Sequence, residues 1–421
     1  MEIACGLDFG TTNSTLAINK AGRVEMVSLE PSTPSDQTMR SVLYFGDTKG
    51  TYVGQEAILE YLRDGAQGRF LQSIKSFLPD RTFDITHIRG DSYQLDDLIA
   101  VLLRVIKKKG ELSVGQEISS VTMGRPVIFS EDTATDRLAE SRLRSAAEKA
   151  GFKCVRFQFE PIAAGLAFES TLEEGEEKKV LVGDFGGGTS DFTVIRLRGG
   201  GNPVRDRKSD ILSLQGVYIG GDGFDSRIMW NQITPYYGRG SRFKGAHQWL
   251  DVPTRIFSTL CSWHLIPRLR NKRDREDIRQ IRINAEDPPP ILRLEDLIDR
   301  NYGFKLFQAI EKAKLRLSQE ESAIIEFSEG LTDIHNQLTR HEFESMIMDD
   351  IDRIEKCVLD TVTDSGLREG DIDVVFLTGG SSFIPRIRQI FERKFGEAKL
   401  KKGDAFTSIG YGLGLSASNT L

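Results

Sequence analysis

The sequence has few cysteines and histidines, and neither residue type forms a group that indicates a metal site or a disulfide framework. The four cysteines, Cys5, Cys154, Cys261 and Cys357, lie far apart, and the five histidines are scattered. Zinc sites and disulfide-rich folds depend on short, repeated spacings of these residues. The dipeptide Gly-Lys of phosphate-loop nucleotidases is also missing. These absences exclude a zinc module, a disulfide scaffold and a phosphate-loop enzyme.

Long apolar runs and an excess of positive charge are missing as well. No apolar stretch approaches the roughly 20 residues of a membrane helix, and the N-terminus has no signal-peptide pattern. The chain has 56 Lys and Arg against 62 Asp and Glu, a net charge of −6. We therefore expect a cytoplasmic protein that binds neither membranes nor nucleic acid. With 421 residues, the chain is long enough for two or more domains.

A glycine-rich stretch at residues 180–195, VLVGDFGGGTSDFTVI, is the most informative part of the sequence. Its apolar run, three glycines and alternating run predict two strands joined by a turn. Glycine backbone can wrap an anion closely. Asp184 and Asp191 flank the turn, and because carboxylates repel bare phosphate they indicate a bridging metal ion.

Three other structures compete with this interpretation. A dinucleotide-binding loop must open a helix, whereas the residues after Gly188 alternate like a strand. The triplet Asp184-Phe185-Gly186 matches a protein-kinase motif, but no His-Arg-Asp loop precedes it. An ordinary glycine-rich hairpin stays open on this stretch alone.

The pattern occurs a second time, at residues 3–18, IACGLDFGTTNSTLAI. Asp8 corresponds to Asp184, and Ser14 corresponds to Ser190. A repeat over this distance indicates a duplicated domain. Two such hairpins predict that the phosphate chain of a nucleotide is held between two similar domains.

Further residues suited to a cleft follow predicted strands. Glu160 opens a helix directly after a strand, where it either caps the helix or projects into a cleft. Lys75, on its spacing alone, is interpreted as a surface charge. Glycines at residues 220–223 and 379–380 precede helices, and helix N-termini are natural anion sites.

Several helices are predicted from spacing. An apolar stripe predicts a packed helix at residues 94–109, and one long helix is predicted at 339–363 with a capping box at its start. In a third helix Glu311, Lys314 and Ser318 share one face, which also fits a surface ion pair beside a serine.

Residues 238–300 have a different composition. They contain Trp249, Trp263, three consecutive prolines and a basic tract at 268–282, with seven Lys or Arg against three acids. A solvated helix face is the default interpretation of such a tract, and a docking surface is the alternative. No fold is assigned to this segment.

The order of these features resembles the ATPase domain of DnaK-type heat-shock chaperones, within the superfamily of actin and sugar kinases. Within it, the nearest resemblance is to the YegD-like group, which lacks a peptide-binding domain. The resemblance covers the chain except residues 238–300. It implies an α/β, actin-like fold (duplicated and ribonuclease H-like), with two lobes around a central nucleotide cleft. Lobe I would comprise residues 1–171, with 404–421 returning to it, and lobe II residues 178–403.

The resemblance also implies roles at the matched positions. Asp8 and Asp184 would hold Mg²⁺ through water, and Asp191 would help to bind a monovalent cation such as K⁺. Lys75 would position the attacking water, and Glu160 would lie near it. The positions matched to ATP or ADP contacts are Gly10, Thr11, Thr12, Asn13, Gly186, Gly187, Gly188, Thr189, Gly220, Gly221, Asp222, Glu311, Lys314, Leu315, Ser318, Gly379, Gly380, Ser381 and Phe383.

Four positions depart from the family pattern. Leu315 and Phe383 stand where relatives place arginines on both sides of the adenine, so apolar contact or ring stacking would replace guanidinium stacking. Asn13 and Phe406 stand where relatives often have tyrosine and aspartate. The departures concern the adenine end and the cation site, whereas the phosphate and catalytic positions match.

The resemblance implies a Mg-dependent, ATP-binding and slowly ATP-hydrolysing protein of the chaperone type. It would act as a conformational switch without a peptide-binding domain of its own, through an unknown protein partner or client that contacts residues 238–300. The alternatives are a non-catalytic nucleotide-binding regulator or scaffold, and an actin-like filament protein.

Overall fold

The computed structural model describes residues 3–31, 36–46, 50–64, 68–83, 85–130, 132–200, 207–402 and 407–417, so Phe406 lies outside the described residues. The strands are β1 (Ala4–Phe9), β2 (Asn13–Lys20), β3 (Arg23–Met26), β4 (Thr38–Arg40), β5 (Leu43–Phe45), β6 (Thr51–Val53), β7 (Arg69–Leu71), β8 (Ile85–Ile88), β9 (Asp91–Gln94), β10 (Ser120–Arg125), β11 (Cys154–Phe159), β12 (Glu177–Phe185), β13 (Ser190–Arg198), β14 (Ile211–Val217), β15 (Arg242–Lys244), β16 (Trp249–Asp251), β17 (Ser322–Glu329), β18 (Thr332–Thr339), β19 (Val374–Thr378) and β20 (Leu400–Lys402). The helices are α1 (Gly54–Arg63), α2 (Leu95–Val114), α3 (Thr133–Lys149), α4 (Glu160–Glu169), α5 (Gly221–Ile228), α6 (Thr254–Leu260), α7 (Lys272–Asn284), α8 (Pro288–Asp299), α9 (Gly303–Leu317), α10 (Arg340–Met346), α11 (Met348–Asp364), α12 (Pro385–Phe395) and α13 (Ser408–Ser416).

Two mixed sheets share one arrangement at their centres. The strand order is β11-β10-β1-β2-β3 in the first sheet, with β4 also on β2, and β14-β13-β12-β19-β20 in the second. In each sheet an antiparallel hairpin lies beside a parallel strand. Phe9 pairs with Ser14 and Phe185 with Ser190, so the two hairpins have equivalent registers. The predicted internal repeat is confirmed at the level of residue pairing.

Amphipathic helices cover both sheets. The helix predicted at residues 94–109 is α2, which continues to Val114 and buries Leu98, Leu102 and Ile106 against the first sheet. Its apolar residues recur every three or four positions, so they form one stripe facing the sheet. The second sheet packs in the same way with α5, α9, α11 and α12, in a separate core.

The helices α4 and α13 pack closely together beside both sheets. A Cβ on Gly412 would lie 1.7 Å from the carbonyl oxygen of Ala163, so only glycine allows the two helices to approach this closely. On its other side α13 contacts the first sheet, where Asn19 Nδ2 donates to the Gly414 carbonyl at 2.9 Å. An apolar cluster that includes Ile162 and Leu413 ties these helices to the second sheet. The pair therefore links the sheets below the cleft.

The prediction of one long helix at residues 339–363 is wrong. The chain forms α10 and α11, because Ile347 between them has φ −106° and ψ 10°, outside the helical region. Its side chain is fully buried, which lets the two helices pack against different parts of the core. The predicted capping box is confirmed: the Thr339 amide donates to Glu342 Oε2 at 2.8 Å, and the Glu342 amide donates back to Thr339 Oγ1 at 3.2 Å.

Residues 238–300 form a compact set of short elements: the hairpin β15–β16, then α6, a 3₁₀ helix (Trp263–Arg270), α7 and α8. The three prolines form the first turn of α8, where a backbone amide has no partner within the helix, so proline loses no hydrogen bond there. In the described part of the chain, no helix has the length and apolarity required to span a bilayer.

Candidate functional site

The turns of the two hairpins meet face to face. A Cβ on Gly187 would lie 2.4 Å from Thr12 Oγ1, so the second turn rests directly on the first. Gly10 has no room for a side chain either, because a Cβ there would lie 2.2 Å from the Asn13 carbonyl oxygen. The second turn is also fixed to the N-terminus of α5, where the amide of Asp222 donates to the Gly187 carbonyl at 2.8 Å. A side chain is thus opposed at Gly10 by the backbone of its own turn and at Gly187 by the Thr12 side chain of the other turn.

The turns lie in a cleft of about 890 Å³ between the two sheets. The structure brings these residues of the predicted site to its wall: Asp8, Gly10, Thr11, Thr12, Asn13, Lys75, Glu160, Asp184, Gly186, Gly187, Gly188, Thr189, Asp191, Gly221, Asp222, Glu311, Lys314, Leu315, Ser318, Gly379, Gly380 and Ser381. Gly220 and Phe383 do not line it. Gly220 is buried behind the second turn, where a Cβ would lie 2.5 Å from the Gly187 carbonyl oxygen. Phe383 ends a short 3₁₀ helix, and 44% of it is exposed.

A lysine and a carboxylate from different elements pair at the centre of the cleft. Lys75 lies in a 3₁₀ helix (Ile74–Phe77), and Glu160 is the first residue of α4. Lys75 Nζ donates to Glu160 Oε1 at 2.8 Å, and both side chains are largely buried. Burial favours the neutral lysine, but the charges of Glu160 and Asp8 outweigh it and raise the pKa of Lys75. Lys75 is therefore a charged residue of the cleft and not a surface lysine.

Three half-buried aspartates lie around this pair. Burial, followed by the charge of Glu160, raises the pKa of Asp8 to about 7. Burial raises the pKa of Asp184 well above its usual range, and the neighbouring carboxylates raise it further. Burial also raises the pKa of Asp191 to about 6, against the effect of a 2.9 Å hydrogen bond from Thr189 Oγ1. The site thus has four carboxyl groups for one lysine, and the raised pKa values of the three aspartates reflect burial together with this shortage of positive charge.

This donor set fits a hydrated divalent cation. Carboxylate oxygens are the preferred protein ligands of Mg²⁺, which usually keeps several of its waters. Among the residues that the structure describes, no three His, Cys, Asp or Glu side chains converge on one metal position. Asp8 and Asp184 line the same cleft and present carboxylate oxygens, the ligand type that such an ion takes.

The helix α9 contributes the next part of the wall. Glu311 Oε1 accepts a hydrogen bond from Arg40 Nη2 at 2.9 Å, which joins β4 beside the first sheet to α9 of the second core. Burial would raise the pKa of Glu311, but the charge and hydrogen bond of Arg40 lower it. The pair therefore holds the two sides of the cleft together by an ion pair that is about one-third exposed.

Lys314, one turn further along α9, points to α5. Its Nζ donates to Asp225 Oδ2 at 2.7 Å and to the Gly221 carbonyl at 2.9 Å. Burial raises the pKa of Asp225 to about 6, although the charge and hydrogen bond of Lys314 oppose it. Ser318 lies nearby, with its hydroxyl 3.5 Å from the Lys314 carbonyl oxygen. The helix face predicted from spacing is thus a wall of the cleft.

Sequence reasoning missed Arg40 and Asp225. Both line the cleft, and each forms an ion pair with a predicted residue, Glu311 and Lys314 respectively. Asp225 carried a weak signal, because it lies one helical turn after Gly221 and so shares its side of α5. Nothing in the sequence around Arg40 indicates a site, because its partner Glu311 is far away in the chain.

The paired hairpins, duplicated sheets and intervening cleft define the actin-like class of folds. The family model described as Hsp70 protein matches residues 4–239 and 296–417, and the chain belongs to the Hsp70 family. The predicted α/β, actin-like fold is confirmed. The chain is 26% identical to the chaperone protein DnaK of Thermosipho melanesiensis, over 99% of this chain and 59% of that protein. It is also 26% identical to DnaK of Thermosipho africanus, over 94% of this chain and 55% of that protein. The chain thus spans less than two thirds of the length of these relatives, and the narrower resemblance to the YegD-like group stays a prediction.

Proposed function

We propose that this protein binds ATP with Mg²⁺ in the cleft and hydrolyses it slowly, as an ATP-driven conformational switch of the chaperone type. The observation that carries the proposal is the contact between two glycine turns, Thr12 against Gly187, in the same cleft as the half-buried aspartates and Lys75. A phosphate chain needs close backbone amides and charge neutralisation. The glycine turns bring backbone to the wall of the cleft, and a cation near the aspartates would supply the neutralisation.

Each part of the wall has a proposed task. The turns at residues 10–12 and 186–189 bind the phosphates, and residues 379–381 bind the phosphate and ribose end. Glu311, Lys314, Leu315 and Ser318 contact the nucleoside, and Asp191 takes part in binding K⁺. When bound, Mg²⁺ would neutralise charge on the phosphate chain, held by Asp8 and Asp184 through water.

Lys75 and Glu160 act on the attacking water. Hydrolysis of a phosphoanhydride depends on alignment and charge stabilisation more than on a covalent nucleophile. The lysine directs its charge at the terminal phosphate and the water, and the carboxylate orients the lysine through their 2.8 Å hydrogen bond. Because the pair is largely buried, its electrostatic effect is stronger than it would be in open solvent.

The switch follows from the position of the site. ATP that contacts both hairpins binds best when they are close, so it favours the closed arrangement by differential affinity. The conformational change acts on a protein partner or client, which we propose contacts residues 238–300.

The test replaces Lys75 by Ala and measures two quantities. We expect phosphate release in a single turnover to fall about 100-fold, whereas ATP binding by calorimetry changes little because the turns are intact. Lys20→Ala, at an exposed strand end, is the matched control and leaves both unchanged.

The result decides between the proposal and its alternatives. Unchanged turnover in Lys75→Ala contradicts the role of the lysine, and failure of the unmodified protein to bind ATP overturns the proposal. Tight ATP binding without phosphate release favours a non-catalytic regulator. Light scattering that rises with ATP favours an actin-like filament.

A further inference from the structure

Lys75 belongs to a short segment with little regular structure of its own. After the 3₁₀ helix Ile74–Phe77, residues 78–83 form turns and belong to no α-helix or strand. Ser73, directly before the 3₁₀ helix, is buried and has φ 54° and ψ 32°, a left-handed conformation that is unfavourable for serine. Such a conformation persists only where the surrounding structure holds it. The position of Lys75 therefore depends on the contacts that this segment makes with other elements.

One arginine of the helix α3 binds the main chain of the segment. Arg142 Nη1 donates to the carbonyl oxygens of Leu78 and Asp80, each at 2.8 Å. Its Nη2 donates to the Phe83 carbonyl oxygen, also at 2.8 Å. A fourth carbonyl oxygen, that of Phe77, lies 3.4 Å from Nη1. Because a guanidinium presents its donors in a fixed plane, it can hold several acceptors at defined positions.

This contact reaches Lys75 in one further step. The Leu78 amide donates to the Lys75 carbonyl oxygen at 3.1 Å, so Leu78 joins Arg142 to the main chain of Lys75. Within the turn, Ser76 Oγ donates to the Ser73 carbonyl oxygen at 2.7 Å and supports the left-handed residue. A displacement of residues 77–83 would therefore move the backbone of the lysine.

Arg142 itself lies on a firmly packed helix. Its neighbour Leu143 is buried in the core of the first sheet, together with Ala139 and Ala146. The hydrogen bonds of the guanidinium go to main-chain carbonyls of residues 77–83. Such bonds hold a backbone conformation and not a particular side chain. The fixed helix thus provides a reference position for a segment that has no regular structure beyond the 3₁₀ helix.

We propose that Arg142 is a positioning residue for Lys75: it holds the carbonyls of the segment that follows the lysine and so keeps Lys75 Nζ beside Glu160. The inference deepens the proposed function and rests on it, because the lysine acts on the water that attacks ATP. Arg142 is not one of the described residues that line the cleft, so it acts through Lys75 and not on the nucleotide. A displacement of about 1 Å in a group that aligns reactants can reduce a rate about 100-fold.

The first test compares Arg142→Ala with Arg104→Ala. Arg104 also donates to a main-chain carbonyl, that of Lys149 at 2.9 Å, but at an exposed site between α2 and α3. In a single turnover, Arg142→Ala should release phosphate about 10- to 100-fold more slowly, with ATP affinity within about twofold of the unmodified protein because the glycine turns are intact. Arg104→Ala should match the unmodified protein in both quantities. Equal turnover in the two variants overturns the inference.

Arg142→Lys separates geometry from charge. The variant keeps the positive charge, but an ammonium group cannot reach carbonyls along the segment as the planar guanidinium does. Its turnover should therefore stay at least about fivefold below that of the unmodified protein. Full turnover in this variant means that only the charge matters, and it overturns the inference. Because the change is small, this variant decides the question if Arg142→Ala does not fold.

A double-mutant cycle determines whether Arg142 acts through the lysine. Once Lys75→Ala has removed the side chain, its position no longer matters, so adding Arg142→Ala should reduce the remaining turnover less than about twofold. A reduction as large as in the unmodified background indicates a general loosening of the fold and contradicts the positioning role.

NMR of the nucleotide-free protein keeps this inference distinct from the proposed function. With ¹⁵N-labelled lysine, the ammonium signal of Lys75 should be visible near neutral pH, because burial and the 2.8 Å hydrogen bond to Glu160 slow its proton exchange with water. Its absence from the spectrum of Lys75→Arg identifies the signal, which should persist in Arg104→Ala and disappear in Arg142→Ala. Persistence in Arg142→Ala, or absence from the unmodified protein, overturns the inference. If the signal behaves as expected and the unmodified protein does not hydrolyse ATP, the proposed function fails and the positioning of Lys75 stands.

Discussion

Replacement of Gly187 by Ala tests whether the two hairpins are in direct contact. The added Cβ would lie 2.4 Å from Thr12 Oγ1 and 3.3 Å from Asp222 Oδ2. The first distance is about 1 Å shorter than an ordinary contact. The Thr12 hydroxyl that the added Cβ would meet is buried and has no hydrogen-bond partner among the described residues.

The expected cost follows from this overlap. Overpacking in a well-packed region costs roughly 1–3 kcal/mol, so the nucleotide-free Gly187→Ala protein should melt several degrees lower in calorimetry. The same opening of the turns, about 1 Å, should reduce ATP turnover by up to about 100-fold, because catalytic geometry tolerates little displacement.

Gly188 is a matched control in the same turn. A Cβ there meets no atom within 4 Å, and its φ is outside the left-handed region. Gly188→Ala should leave the stability of the nucleotide-free protein unchanged or raise it by roughly 0.4–1 kcal/mol, because alanine restricts the unfolded chain.

A double-mutant cycle identifies the colliding atom. Thr12→Ala removes Oγ1, so Thr12→Ala combined with Gly187→Ala should recover at least about 1 kcal/mol relative to the sum of the single changes. If Gly187→Ala is as stable as Gly188→Ala, or if Thr12→Ala gives no recovery, the hairpins are not in contact and the shared phosphate site loses its basis.

Two further ion pairs give sharp expectations. Arg40→Ala removes the link to Glu311 across the cleft, worth about 0.2–1 kcal/mol at this exposure, and should speed release of fluorescent ADP several-fold in stopped flow. Arg81→Ala is the control, because Arg81 pairs with Asp132 on the same side of the cleft, and it should leave the rate of ADP release unchanged. Arg207→Met removes a fully buried guanidinium and leaves its carboxylate partners without a counter-charge, so it should lower the free energy of unfolding in urea by about 3–5 kcal/mol. Arg198→Met, at an exposed position, should lower it by less than about 1 kcal/mol.

The hairpins could be predicted because their determinants are local. Alternating apolar residues around DFG define the strands and the turn at Asp8 and at Asp184, and the same order in two places indicated a duplication. Lys75 and Glu160 were harder, since a single lysine or glutamate has no distinctive spacing. Only their order along the chain indicated a site, and the structure brings their side chains to 2.8 Å.

The parts that could not be predicted depend on contacts between distant elements. Arg40 gains its significance from Glu311, which is 271 positions away. Residues 238–300 resisted assignment because β15 and β16 are only three residues long, too short to show a period. The break at Ile347 falls inside a helical pattern, and tertiary burial of that residue overrides it.

The charges of the cleft explain why glycine and aspartate were better guides to the site than lysine. Among the described residues of the wall, the cationic ones are Arg40, Lys75 and Lys314, and each is already paired with a carboxylate. A lysine has three N–H donors, so it can contact phosphate and keep its carboxylate, but the carboxylate cancels much of its charge. In the proposed mechanism, backbone amides at the turns and a cation near Asp8 and Asp184 supply most of the neutralisation. The paired DFG turns can therefore be recognised in the sequence, whereas the basic residues are recognised only from the carboxylates with which they pair in the fold.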